Sequence, residues 1–184
     1  FKWSYDHESI NQVTGASLLE IFNGHPYANL YGGPGHHSSE EIWDKVLSTG
    51  KPIFGVATDD SHNYKDFSPS HSNPGRGWVM VQSAALDKES ILEALSAGNF
   101  YASTGVNLGK LEISQQGISI EIEQERDLIY TTRFTTVNGN LLAEVNGLTA
   151  DYRSTGKETY IRATVVNSSG TKAWTQPVFL VESC

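Results

Sequence analysis

What this chain has little of narrows its function first. It has one cysteine, Cys184, so no internal disulfide can brace it. It has 13 Lys and Arg against 21 Asp and Glu, a formal net charge of -8, and no basic cluster. A nucleic acid or an anionic membrane is therefore not the expected partner. No apolar run approaches the roughly twenty residues a membrane-crossing helix needs, so the expectation is a soluble protein of undetermined compartment. There is no low-complexity tract, no solenoid period and no phosphate-loop motif: the glycines of Gly32-Gly33-Pro34-Gly35 are not followed by Gly-Lys-Ser/Thr. At 184 residues the chain can hold one domain or two small ones.

The most informative stretch is Gly55-Val56-Ala57-Thr58-Asp59-Asp60-Ser61-His62. Ile53 to Ala57 reads as a short buried strand, and it ends in two carboxylates, a hydroxyl and an imidazole. Asp60 and His62 are two apart, so an extended backbone points them the same way, and together they could share one divalent ion. Equally, the aspartates could cap a turn and His62 could be an exposed loop residue.

The chain around it alternates. Asp6 is positioned to cap a short helix to about Val13. Leu18 to Phe22 reads as a buried strand ending in the polar turn Asn23-Gly24-His25-Pro26. Glu20 lies inside that apolar run, so it must face a cavity, a cation or a hydrogen-bond partner. Ser38 and Glu41 form a capping box, Ile42, Trp43, Val46 and Leu47 share one helical face, and Gly50 closes the helix. Strand, helix, strand in this spacing predicts a parallel βαβ unit, with ligands expected at the carboxyl ends of its strands. His36 and His37 lie in the preceding loop, where they could touch a metal or simply be exposed. The long loop 63–76 carries Arg76, a candidate for holding phosphate or for an ordinary salt bridge. Further strands are expected at 77–82 and 99–105, with a helix capped by Asp87 between them.

After Gly105 the period becomes two. Residues 108–114 and 118–123 alternate, with Ile118, Ile120 and Ile122 on one face. Val137-Asn138-Gly139-Asn140 signals a hairpin. Strands at 159–166 and 173–181 complete an antiparallel module of about 75 residues, expected to be a small sandwich in which Arg162 packs or pairs.

Taken in order, Leu19-Glu20-Ile21-Phe22-Asn23-Gly24-His25-Pro26, Ile42 to Gly50, Gly55 to His62, Gly77-Trp78-Val79-Met80-Val81 and Gly98 to Gly105 resemble the polymerase and histidinol phosphatase (PHP) superfamily, in its metal-dependent phosphoesterase branch. The resemblance spans nearly the whole chain. It implies a partial (β/α) barrel at 1–105, corresponding to the second half of a TIM-like barrel, followed by a β-sandwich domain at 106–184. The family's D-x-H motif falls on Asp60 and His62, which become the expected metal ligands. The resemblance makes His25, Asn23 and Arg76 candidates for binding substrate. Glu20 and Asp59 become candidates for hydrogen-bonding the residues that hold metal. The implied cofactors are divalent Zn, Mn or Fe, and the implied reaction is hydrolysis of a small phosphoester. The family's opening H-x-H pair does not occur, so this chain is expected to be an inactive portion that self-associates through an exposed half-barrel surface. The competing expectation is a binding module whose β domain takes carbohydrate or protein. Its candidate platform is Tyr130, Phe134, Tyr152, Tyr160 and Trp174.

Overall fold

Two helices begin as their caps require. In a computed structural model that describes residues 3–180, Asp6 accepts the Ser9 amide before α1 (His7–Gln12), and Ser38 and Glu41 form the reciprocal box at the start of α2 (Ser39–Leu47). Cys184 and the expected strand end at Val181 lie outside the described residues.

The strand before α2, β1 (Leu18–Asn23), and the strand after it, β2 (Phe54–Thr58), pair in parallel with Asn23 opposite Thr58. The βαβ unit is therefore present. Its packing is tight at Gly55, where a Cβ would stand 2.8 Å from Ile21 Cδ1 and 2.9 Å from the Trp43 ring. Trp43, fully buried, also donates its indole N–H to the Ile53 carbonyl at 3.0 Å, so one side chain ties α2 to the entry of β2.

Beyond this unit the barrel expectation fails. β3 (Trp78–Val81) and β4 (Phe100–Ser103), joined through α3 (Lys88–Ala97), run antiparallel to each other. The second edge of β4 is taken by β11 (Lys172–Thr175). The order continues through β10 (Tyr160–Asn167), β7 (Tyr130–Thr136) and β8 (Asn140–Asn146), with β12 (Val178–Phe179) also on β10. The described residues form three sheets, and none closes into a TIM-like barrel or part of one. The physical reason lies in β4, whose residues are all buried. A run buried on both faces carries no sign of its direction, and each edge found an antiparallel partner. The seven-stranded sheet thus crosses residue 105, with β3 and β4 before it and the remaining strands after it.

The third sheet, β5 (Leu108–Ser114), β6 (Gly117–Ile122) and β9 (Thr149–Arg153), is antiparallel. It packs as a sandwich on one face of the large sheet. Ile118, Ile120 and Ile122 point inward there, against Phe134, Ile161, Ala163 and Val165. The other face of the large sheet, through Tyr160 and Trp174, meets Trp43, Val46 and Leu47 of α2 and Ile21 of β1. β10 therefore sends odd-numbered residues 161, 163 and 165 to one core, and Tyr160 to the other. The hairpin between β7 and β8 has Asn138 and Gly139 both at positive φ, 58° and 72°, as the Asn-Gly signal requires. The expected single strand at 173–181 is broken at Gln176-Pro177, where proline has no N–H for a ladder. Gln176 uses the break: its amide accepts from the Gly55 N–H at 2.8 Å and donates to the Gly55 carbonyl at 2.9 Å. A side chain here stands in for a neighbouring strand along β2.

Candidate functional site

The carboxyl ends of β1 and β2 form a polar rim. Thr58 donates its hydroxyl to Glu20 Oε1 at 2.5 Å, and Asn23 Nδ2 donates to Glu20 Oε2 at 3.1 Å. The same amide nitrogen lies 3.3 Å from Asp60 Oδ2. Asn23 thus joins the two carboxylates, while its own oxygen accepts the His25 amide at 2.8 Å. Glu20, the charged residue inside an apolar strand, is accounted for by neutral hydrogen-bond partners at a strand end.

Asp60 and His62 do come together, with Oδ1 and Nε2 3.7 Å apart. They do so differently from the extended geometry expected. Asp60 has φ 47°, in the left-handed region that non-glycine residues seldom occupy, though Asp tolerates it better than most. The loop is held by Ser72, whose carbonyl accepts the His62 and Asn63 amides at 2.9 Å each and whose hydroxyl donates to the Asp60 carbonyl. Ser72 and Asn73 are buried, and Asn73 bonds the carbonyls of Asn63 and Asp66. These two residues build the loop that presents His62, and nothing in their local pattern marked them out.

His25 stands edge-on to His62, ring centroids 6.1 Å apart. Its Nδ1 accepts the Tyr27 amide at 3.2 Å, which assigns the proton of the neutral ring to Nε2. In that tautomer Nε2 is a donor, suited to an anionic oxygen rather than to a metal ion.

Asp59 has a structural task. Its carboxylate accepts the amides of Gly75, Arg76 and Gly77 at 3.0, 2.6 and 2.9 Å, gathering the far end of the long loop. Burial alone would raise its pKa, and those three N–H donors bring it below the ordinary carboxylate value. Arg76 donates to the carbonyls of Gly24 and Ser68 at 3.0 and 2.8 Å, so it ties the rim turn to the loop. His36 stacks on Trp3 and His37 lies edge-on to His7.

Two expectations are corrected by this geometry. Among the described residues no group of three or more His, Cys, Asp or Glu side chains could hold a metal ion, so a self-contained metal-binding site is not there. The aromatic platform of the β domain is also absent. Tyr130, Phe134, Tyr160 and Trp174 are buried, and Tyr152 packs on Phe134 while donating its hydroxyl to Glu158. Arg162 is buried too; it donates to the Thr164 hydroxyl within the β module at 2.7 Å and also pairs across the layers with Asp44. Among the described residues, no helix is long and apolar enough to cross a membrane.

No family model matches this chain, and no curated protein or solved structure does either.

Proposed function

We propose that the rim at the carboxyl ends of β1 and β2 is part of a metal-dependent phosphoesterase centre, to which this chain gives Asp60 and His62 as two ligands of one divalent ion. The observation that carries it is the Oδ1–Nε2 separation of 3.7 Å. At that separation a small rotation of the exposed His62 imidazole would let both side chains hold one divalent ion. The pair fits as part of such a site, and the other coordination positions need donors that the described residues do not bring to it. A divalent Zn, Mn or Fe ion held by Asp60 and His62 would supply Lewis acidity toward phosphoryl oxygens.

The chain's own residues do the rest. His25, with its proton on Nε2, donates to a phosphate oxygen. Asn23 holds Asp60 in place through its amide. Ser72 fixes the loop backbone, and the left-handed turn at Asp60 is the conformational cost of aiming its carboxylate at the rim.

Zinc titration followed by the imidazole signals of His62 and His25 tests the reading. The expected result is a shift of the His62 signals that Asp60→Ala and His62→Ala each remove. In parallel, hydrolysis of p-nitrophenyl phosphate is measured with Zn, Mn or Fe, using this chain together with any segment that completes the ligand set. Both substitutions are expected to abolish it. Signals that stay unmoved at millimolar zinc would overturn the proposal.

A further inference from the structure

A second feature abuts the rim. A cavity of about 210 Å³ opens beside Glu20 and Asn23, walled by Trp3 and Tyr5, with His37 and Ile42 contributing to its lining. The Trp3 ring is braced by stacking on His36, centroids 4.6 Å apart and planes 16° from parallel. Glu20 differs from the other carboxylates packed near α2. Glu40 has Arg162 and Lys172 within 3.2 Å. Glu20 bonds a hydroxyl and an amide, and none of the salt bridges among the described residues includes it.

We infer that this cavity receives the ammonium head group of an organic cation, of the quaternary, choline type. Three properties point the same way. A partly buried carboxylate without a cation offers the countercharge. Electron-rich ring faces of Trp and Tyr attract a desolvated cation, and Trp does so best. The volume lies below the roughly 300–1,000 Å³ of pockets for drug-sized ligands, so it admits a small head group and not a whole metabolite. A protonated primary amine would keep its hydrogen bonds to water. A methylated ammonium has none to lose, and its methyl groups suit walls that are partly apolar.

Joined to the phosphoesterase reading, on which this extension rests, the inference names a substrate class: phosphoesters of a short amino alcohol. Asn23 Nδ2 touches Glu20 Oε2 at 3.1 Å and Asp60 Oδ2 at 3.3 Å. A ligand with its cation against Glu20 and its phosphate beside His25 and Asp60 needs to pass one amide group, the span of a two- or three-carbon linker.

The test is calorimetric titration of the metal-free chain with choline and with 3,3-dimethyl-1-butanol, its neutral carbon isostere. Choline is expected to bind at least about tenfold more tightly than the isostere. Glu20→Gln and, separately, Trp3→Leu are each expected to weaken choline by about tenfold while the urea-unfolding midpoint stays in place. Equal binding of choline and isostere, no binding of either, or unchanged affinity in both variants would overturn the cavity proposal. Phosphocholine hydrolysis with added Zn or Mn, under the completed ligand set, is scored separately. Choline binding without zinc response at His62 removes the phosphoesterase reading and leaves the cavity standing. Zinc response and hydrolysis without choline binding removes the cavity and leaves the phosphoesterase reading.

Discussion

Two acidic clusters, one on α2 and one at the carboxyl ends of β1 and β2, are built to opposite ends. Between α2 and the large sheet, Asp44 takes a two-pronged contact from Arg162, Nε to Oδ1 at 2.7 Å and a terminal nitrogen to Oδ2 at 2.6 Å. Glu40 accepts from Arg162, Thr164 and Lys172, and Tyr160 reaches Asp44 Oδ1 at 2.9 Å. The guanidinium lies over the Trp43 ring at 4.8 Å from its centroid. Arg162 is 1% exposed, so every charge it carries must be answered by protein, and it is. At the rim, Glu20 and Asp60 share a neutral amide, and the Asp60–His62 pair stands open to solvent. A matched, sealed cluster of charge holds layers together. An unmatched, open one has capacity left for a ligand.

The largest expected effect comes from unmatching the sealed cluster. Asp44→Ala leaves a buried guanidinium without its main partner and is expected to cost about 3–5 kcal/mol in urea-unfolding stability. Removing the rim charge, Asp60→Asn, should stay within about 0.5 kcal/mol. Similar losses at both places would break the comparison.

Acid should act on the sealed cluster next. Burial would raise the Glu40 pKa, but Arg162, then Lys172 and the Thr164 hydroxyl, override it and bring it to about 2. A carboxylate depressed in the folded state contributes stability that is complete above its ordinary value and lost as pH falls through its folded value. The Glu40 contribution should therefore be present above about pH 4.5 and disappear toward pH 2, an effect of up to about 3 kcal/mol. Unfolding midpoints measured between pH 6 and 2 should fall along this limb, and Glu40→Gln should flatten part of it.

Packing of the layer that carries the rim comes third. Gly55→Ala pushes a methyl into Ile21 and Trp43 and is expected to cost about 1–3 kcal/mol by the same denaturation measurement. Because Gly55 lies in β2 and the rim hangs from its end, that variant should also broaden the His62 imidazole signals. A variant that loses stability with the His62 signals unchanged would show that the rim is positioned by its loop and not by β2.

A second substitution at the rim sharpens the comparison most. Asp60→Gly relieves a left-handed aspartate and should be neutral or stabilising by up to about 1 kcal/mol, while removing the zinc response of His62. A residue that weakens the fold where it stands, and whose loss costs only ligand binding, is the mark of an open cluster.

Much of the local structure was written in short patterns. The Ser38–Glu41 box, the Asp87 cap, the Asn138-Gly139 turn and the alternating isoleucines of β6 each satisfy a nearest-neighbour requirement, and each forms as expected. The rim was legible in part, because Asp60, His62, His25, Asn23 and Glu20 lie close to strand ends in the sequence. Ser72 and Asn73 were not legible. They act on residues five to twelve positions away, and a serine and an asparagine in a loop look like any others. β9 escaped notice because Thr149–Arg153 follows β8 after a two-residue turn with little apolar contrast.

The sequence alone determined the capped helices, the Asn-Gly hairpin and the inward face of β6, because caps, turns and periodicity are satisfied within a few residues. Tertiary structure alone decided that β3 and β4 join the large sheet and that Arg162 reaches across to Asp44. It also decided that Asp60 and Glu20 meet at one amide nitrogen. Strand direction in an all-buried run, the partner of a buried charge and the meeting of distant side chains depend on which surfaces the folded layers bring together. No local pattern encodes that choice.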